Sequence, residues 1–186
     1  MDATTQSEVS MNVVSLRQAH TSLAAPTHTL LTVHHMRTAR RVHLLDIENL
    51  CGTSHLTENM VAYVVDAYRR EVGIGSVDHL VVGVSHHNAL AVGRILPHAR
   101  LCVRSGADGA DLALLDILDR EQLEERFVEI CLGSGDGIFT NVAVRTAVRG
   151  GRVRVVAGLA AASRRLRLAA GTFTQLSFTS SSQEHA

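Results

Sequence analysis

The chain has 186 residues, of which 46% are hydrophobic and 3% aromatic, so its length fits one domain with tails and its core must be largely aliphatic. The formal net charge is zero, and all 18 basic residues are arginines, which excludes a P-loop with its lysine. No apolar run approaches the roughly 18 residues of a membrane span. The three cysteines form neither a disulfide framework nor a CxxC metal motif, and no signal peptide is evident, so we expect a cytoplasmic protein.

The amino-terminal half begins with a segment of weak periodicity. Residues 1–40 are rich in Thr, Ser, Ala and His, and we interpret them as a mobile extension. The domain begins at residue 41, where a short apolar run ending in Asp46 predicts the first strand. Apolar runs and helical spacing then predict a helix capped by Thr57 and ending near 72, a strand over 78–85, a helix over 88–96 and a strand over 100–104.

The carboxyl-terminal half continues the same alternation. It predicts a helix over 108–118, a strand over 127–132, a helix over 138–148, a strand over 153–157 and a helix over 163–169, with an edge strand over 173–176 left open. Alternating strands and helices are typical of an α/β fold, here a three-layer Rossmann-like domain over 41–178 with a parallel sheet of about five strands. We expect residues 179–186 to form a disordered tail.

Several aspartates follow the predicted strands. Asp46 ends the first strand, Asp136 lies in the turn after the fourth, and Asp108 and Asp111 begin the helix after the third. Parallel sheets bind ligands beyond the carboxyl ends of their strands. With strand order 3-2-1-4-5, Asp46 and Asp136 would face each other, and the helix that carries Asp111 could pack over the same crevice.

Clustered carboxylates require a cation or raised pKa values, because like charges repel one another. Mg²⁺ and Mn²⁺ prefer carboxylate and water ligands, and such ions can activate water for attack on a phosphodiester. Asn49 could orient a ligand or cap the loop. Two alternatives stay open, since Asp136 could serve only as a helix N-cap, and at least one of Asp108 and Asp111 could be an ordinary helix-start residue.

Four segments together resemble the NYN branch of the PIN-like metal-dependent ribonucleases. DIEN at 46–49 resembles the D-x-x-N opening of that family, and GADGADL at 106–112 its G-x-D-x-x-L helix start. LGSGDGIF at 132–139 is similar to the S-G-D-x-x-F turn, and GGRVRVV at 150–156 to the strand that follows it. These motifs cover about 41 to 160 in the order of the family.

The resemblance implies a PIN-like fold and cleavage of RNA that depends on a divalent metal, Mg²⁺ or Mn²⁺. It points to Asp46, Asp111 and Asp136 as catalytic metal ligands and to Asp108 as a fourth acid. Asn49 would assist them, and Ser134 would contact substrate from the turn. The expected partner is RNA, single-stranded rather than duplex, with a homodimer left open and no membrane.

Two departures from the family pattern motivate an alternative function. Ile138 stands where many relatives carry a second acid, and Ala110 stands where a basic residue is frequent. The chain could therefore be a catalytically degenerate module that binds RNA or a protein. The glycines of the turn at 133–137 also resemble a dinucleotide or S-adenosylmethionine loop, but the next acid along the chain is Glu184.

The last third of the chain is basic. Between Gly137 and Gln183 there are seven arginines and no Asp or Glu. This asymmetry could hold a phosphate backbone against a metal site, or it could be a solvated surface. The candidates for phosphate contacts are Arg145, Arg149, Arg152 and Arg164. His86 and His87, after the second strand, could touch phosphate or be ordinary loop residues.

Overall fold

A computed structural model describes residues 40–178, built around one sheet of six parallel strands. The strands, in spatial order, are β3 (Arg100–Val103), β2 (His79–Val84), β1 (Arg41–Asp46), β4 (Glu129–Gly133), β5 (Arg152–Ala157) and β6 (Thr172–Gln175). The predicted order is confirmed, with β6 added because it pairs with β5 at the edge. The predicted mobile extension and disordered tail lie outside the described residues.

Helices cover both faces of the sheet and complete the predicted three layers. They are α1 (Ile47–Cys51), α2 (Glu58–Val72), α3 (Ala89–Ile95), α4 (Gly109–Arg120), α5 (Leu123–Arg126), α6 (Thr140–Val148) and α7 (Arg164–Ala169), with a 3₁₀ turn at Gly137–Phe139. One core lies between the sheet and α1 to α3, and a second lies under α4 to α7. None of the helices within residues 40–178 is long and apolar enough to cross a membrane.

The central position of β1 in the sheet explains why its sequence is almost continuously apolar. Val42 and Leu44 pack into the core under α4 to α7, whereas Leu45 packs into the core under α1 to α3. A strand that is covered on both faces must be apolar at successive positions, since neighbouring side chains point to opposite sides. The strand ends at the buried Asp46, which places a carboxylate at the carboxyl edge of the sheet.

Helix α1 occupies a segment that the sequence predicted as a loop. The Asp46 side chain accepts a hydrogen bond from the backbone N–H of Asn49, and Gly52, at φ 68°, ends the helix in the left-handed region. Five residues are too few to show helical periodicity, so only the two ends of α1 carry a signal in the sequence. The short helix α5, capped by Gln122 at φ 49°, was missed for the same reason.

The segment after β5 packs against the end of α1. The backbone N–H of Leu159 donates to the carbonyl oxygen of Leu50 at 2.8 Å. A Cβ at Gly158 would overlap that same carbonyl, so glycine is required for the close approach. This contact brings the loop over residues 158–163 beside the carboxyl ends of β1 and β4.

A buried polar cluster joins β1 and β2 at the opposite end of the sheet. Asp78 accepts hydrogen bonds from the backbone and guanidinium of Arg41, from the backbone of Gly75 and from His43. His43 also contacts the hydroxyl of Tyr68 at 2.8 Å. One carboxylate thus satisfies donors from three residues, two in β1 and one in the loop before β2, which is how buried charges are retained in folded proteins.

Candidate functional site

Asp46 is the central acid at the carboxyl edge of the sheet. It ends β1, begins α1 as its N-cap and is only 4% exposed. Its Oδ1 accepts the N–H of Asn49 at 3.1 Å, and its Oδ2 lies 3.4 Å from the hydroxyl of Ser134. Because β1 and β4 are neighbours, Ser134 directly after β4 falls beside it. The carboxylate is therefore fixed from two strands before any ligand binds.

Asp111 reaches the same point from the first turn of α4. Its side chain is buried, at 7% exposure, and its carboxyl group is in hydrogen-bonding contact with that of Asp46. Its Oδ1 has no hydrogen-bond partner within residues 40–178. Gly83 of β2 permits the approach, because a Cβ there would lie 2.7 Å from the carbonyl oxygen of Ala110. Two buried carboxyl groups thus meet, and one oxygen is left unsatisfied.

The electrostatics of this pair favour an added proton or cation. Burial, which is the largest cause, and the negative charges of Asp46, Asp136 and Asp108 together raise the pKa of Asp111 to about 8. Burial also raises the pKa of Asp46, although hydrogen bonds from Asp111 and from the backbone of Asn49 act in the opposite direction. Both carboxyl groups are therefore harder to ionise than free aspartates, which is typical of sites that bind a positive charge.

The turn after β4 holds Asp136 beside this pair. The hydroxyl of Ser134 lies 3.4 Å from Asp46 Oδ2 and accepts the N–H of Asp136 at 3.1 Å, so it lies between the two acids. Asp136 is half-buried, and its Oδ1 accepts the N–H of Ile138 at 2.8 Å. The predicted N-cap role of Asp136 is thus observed for one carboxylate oxygen, while its charge still acts on Asp111.

Asn49 ties α1 to the turn after β4. Its side-chain oxygen accepts the backbone N–H of Gly135 at 2.8 Å, so the amide positions the turn. We expect Asn49→Ala to lower the free energy of unfolding by about 1–2 kcal/mol, because the buried N–H of Gly135 loses its acceptor. Urea unfolding measures this effect. An unchanged midpoint would show that water replaces the amide, and Asn59→Ala on the exposed face of α2 is the matched control.

A cleft of about 380 Å³ opens above the acids, and Glu48 lies in it although no sequence motif selected that residue. Glu48 Oε1 accepts hydrogen bonds from the backbone and hydroxyl of Ser85 and from the Asn88 amide at 2.6 Å. Glu48 was missed because it lies in α1, and a helix of five residues is too short to be predicted from the sequence. The lining residues that matter here are Asp46, Glu48, Asn49, Ser85, Asp108 and Asp111.

Asp108 and the two histidines lie around the mouth of the cleft. Asp108 is exposed, and its backbone lies in the left-handed region at φ 54°. It therefore precedes α4, whereas the sequence predicted that it begins this helix. The Nδ1 of His86 lies 2.5 Å from the hydroxyl of Ser105, and the Nε2 of His87 lies 2.9 Å from the carbonyl of Ser54. Both imidazoles are exposed at the rim, where one nitrogen of each is engaged with the loops.

The four candidate arginines are divided between the two edges of the sheet. Arg145 pairs with Asp119 at 2.6 Å, and Arg149 pairs with Glu124. Both lie near the end of α6, which runs back to the amino edge of the sheet, and Arg152 begins β5 at that edge. The structure does not bring these three to the cleft. Arg164, at the start of α7, lies at the carboxyl edge.

The donor set of the cleft fits a hard divalent cation. Within residues 40–178, no group of three or more His, Cys, Asp or Glu side chains is arranged to hold a metal ion. The contact between Asp46 and Asp111 nevertheless offers carboxylate oxygens, one of them buried and unpartnered. Mg²⁺ is commonly bound through one or two carboxylates while it keeps several waters. The oxygen-only pair therefore suits Mg²⁺ or Mn²⁺ better than a metal that needs nitrogen or sulfur ligands.

Comparison with known proteins supports the fold and leaves the activity to experiment. No family model matches the chain, and no curated protein is similar enough to match. A solved structure of a protein of unknown function from Vibrio parahaemolyticus RIMD 2210633 is similar, with a TM-score of 0.53 and 19% identity. The likeness covers 74% of this chain and 93% of that chain, and at this identity it concerns the α/β fold alone.

Proposed function

We propose that the protein is a ribonuclease that hydrolyses RNA phosphodiester bonds with Mg²⁺ or Mn²⁺. The observation that carries the proposal is the contact between the buried carboxyl groups of Asp46 and Asp111, with Asp111 Oδ1 unpartnered. When both groups are ionised, such a contact destabilises the fold, since buried like charges repel. Carboxylate pairs of this kind are retained where they bind a cation or exchange protons.

Each acid has a distinct role in the proposal. Asp46 and Asp111 would hold the cation, with the predicted ligand Asp136 beside them, and Asp108 in the cleft would add negative charge. The cation would supply the Lewis acidity that activates water and stabilises charge on the phosphodiester. Ser134 keeps Asp46 and the Asp136 backbone at a fixed separation, so the acids need little rearrangement when substrate arrives.

Single-stranded RNA is the proposed substrate because of the resemblance to NYN domains. A homodimer stays open, and the cytoplasmic location expected from the cysteines and the N-terminal sequence stays a prediction. The cleft is compatible with a nucleic-acid strand, since it is open to solvent and lined by polar side chains such as Glu48, Asn49 and Ser85. An unpaired strand can bend so that one phosphodiester enters such a cleft, whereas a duplex is stiffer.

The cleavage assay uses end-labelled single-stranded RNA with Mn²⁺ or with EDTA. We expect cleavage only with the metal, and we expect Asp136→Asn to reduce it on the order of 100-fold, because the variant removes negative charge next to Asp111. Asp66→Asn is the matched control, since that side chain is 72% exposed on α2, away from the cleft. Cleavage that persists in EDTA would contradict a role for the metal.

A second candidate function is a catalytically degenerate module that binds RNA or a protein. The observation in its favour is Ile138, which places an apolar side chain where many relatives of the NYN family have an acid. RNA binding without metal-dependent cleavage would support this candidate. If the protein neither cleaved nor bound RNA, the glycine turn at 133–137 and a small-molecule ligand would be tested next.

A further inference from the structure

Helix α7 carries three arginines without acidic partners. Arg164, Arg165 and Arg167 are exposed, and none forms an ion pair within the described part of the chain. Elsewhere in the domain, ion pairs with Asp or Glu engage many arginines, among them Arg41, Arg94, Arg100, Arg104, Arg145 and Arg149. Helix α7 therefore presents positive charge that no ion pair within residues 40–178 neutralises.

The position of α7 places this charge next to the acidic cleft. The backbone N–H of Ser163, which precedes α7, donates to the carbonyl oxygen of Gly135 at 2.8 Å. A Cβ at Gly135 would lie 2.9 Å from the Cα of Ala162, so the two segments are in close contact. Helix α7 thus begins beside the turn that contains Asp136. Arg152 likewise forms no ion pair within the described residues, but it begins β5 at the opposite edge of the sheet.

A surface groove is formed by these side chains. It has a volume of about 450 Å³ and is lined by Ala162, Arg164, Arg167 and Leu168. The guanidinium of Arg167 lies 4.3 Å from the centre of the Phe173 ring, a cation–π contact that restricts its motion. Leu168 is 78% exposed and adds an apolar wall. From residue 137 to residue 178 the sequence contains no Asp or Glu that could neutralise the groove.

We propose that this α7 groove binds phosphates of an RNA strand, while a neighbouring phosphodiester of the same strand enters the acidic cleft. That the bound strand is RNA rests on the proposed function. The cleft repels a polyanion in the absence of metal, so affinity must come from a basic surface beside it. Arg104, at the same edge of the sheet, is paired with Asp116, whereas the guanidinium groups of α7 are free to form paired hydrogen bonds with phosphate oxygens.

The test measures binding of a fluorescein-labelled single-stranded RNA to the full-length protein in EDTA, where no metal-dependent cleavage occurs. Fluorescence anisotropy is recorded over a series of salt concentrations for wild type and for Arg164→Gln/Arg167→Gln. For two lost phosphate contacts, the slope of log K against log salt should become shallower by about 1.4, and affinity near 0.1 M salt should fall on the order of tenfold.

The matched control is Arg69→Gln/Arg120→Gln, which removes the same charge from exposed arginines near the ends of α2 and α4, at the amino edge of the sheet. The control should bind RNA as wild type does. Equal losses in both variants would show a general charge effect and overturn the proposal. Thermal melts of both variants exclude unfolding as the cause.

The outcomes also separate this proposal from the nuclease activity. If wild type cleaves RNA while the Arg164→Gln/Arg167→Gln variant binds it unchanged, the groove proposal fails and the nuclease proposal stands. If wild type does not cleave but the variant loses binding, the groove proposal stands and the nuclease proposal fails. Binding of wild type to anionic phosphatidylserine vesicles but not to RNA would assign the groove to a membrane surface and overturn its role with RNA.

Discussion

Replacing Asp111 by asparagine is expected to stabilise the metal-free protein while abolishing metal-dependent cleavage. The carboxyl group of Asp111 is buried against Asp46, and its pKa is raised to about 8. An amide in its place carries no charge and can donate permanently to Asp46. We expect the free energy of unfolding at pH 8 to rise by about 2 kcal/mol, since one pKa unit corresponds to about 1.36 kcal/mol and water in the open cleft relieves part of the repulsion.

The pH dependence gives this prediction a definite sign. The folded-state pKa of Asp111 lies above its ordinary value of 3.8, so its favourable contribution is complete below pH 3.8 and is lost as the pH rises through about 8. Wild type in EDTA should therefore lose stability as the pH rises from about 4 to about 8 and change little above that, whereas Asp111→Asn should show a flatter profile. Urea unfolding across this range measures the difference, and added Mn²⁺ should stabilise wild type more than the variant.

The control for this experiment is Asp116→Asn on the same helix. Its side chain is 52% exposed and pairs with Arg104 and Arg120, so the substitution should slightly destabilise the protein at every pH. If Asp111→Asn also destabilised the metal-free protein, the contact between Asp46 and Asp111 would be a structural hydrogen bond. The basis for a cation at this pair would then be lost.

Replacing Asp78 by alanine is expected to have the opposite effect and to destabilise the protein by about 3 kcal/mol. The Asp78 side chain is 2% exposed and accepts hydrogen bonds from Arg41, His43 and Gly75. Removing it takes the carboxylate acceptor from a guanidinium and from a buried imidazole at the junction of β1 and β2. Breaking a buried ion pair by removing one partner costs about 3–5 kcal/mol, and the partial exposure of Arg41 places this case at the lower end.

The same cluster predicts that the protein unfolds in acid. Burial alone would raise the pKa of Asp78, but hydrogen bonds from the Arg41 and Gly75 backbones and from the His43 and Arg41 side chains lower it to about 2. Its stabilisation is therefore present above pH 3.8 and is lost as the pH falls through 2. Burial lowers the pKa of His43, so further stability is lost as the pH falls below 6.5.

Denaturant unfolding between pH 2 and 7 measures both contributions. The Asp78→Ala variant should be less stable than wild type at pH 7, and the difference should shrink towards pH 2. Asp66→Ala, at an exposed position of α2, should change stability by less than about 0.5 kcal/mol. A constant difference between Asp78→Ala and wild type at every pH would show that packing, and not the charge of Asp78, stabilises the junction.

The sequence by itself determined the layers, the parallel sheet and the position of two acids. Continuous apolar runs alternate with segments of helical periodicity. This alternation predicts a parallel sheet, since strands buried on both faces must be apolar throughout. Asp46 and Asp136 could be placed at one edge because each directly follows a strand, and parallel strands end at the same side. These conclusions need only local pattern and the rules of chain connection.

The contacts that define the candidate site were decided by the tertiary structure. Asp111 meets Asp46 because Gly83 lets α4 approach β2, and no local pattern encodes that distance. Glu48 enters the cleft through a helix of only five residues. The arginines near the end of α6 were assigned to substrate by charge alone, but the length of that helix carries Arg145 to the opposite edge, where Asp119 neutralises it. Side chains distant in sequence are brought together by packing, and packing depends on the whole core at once.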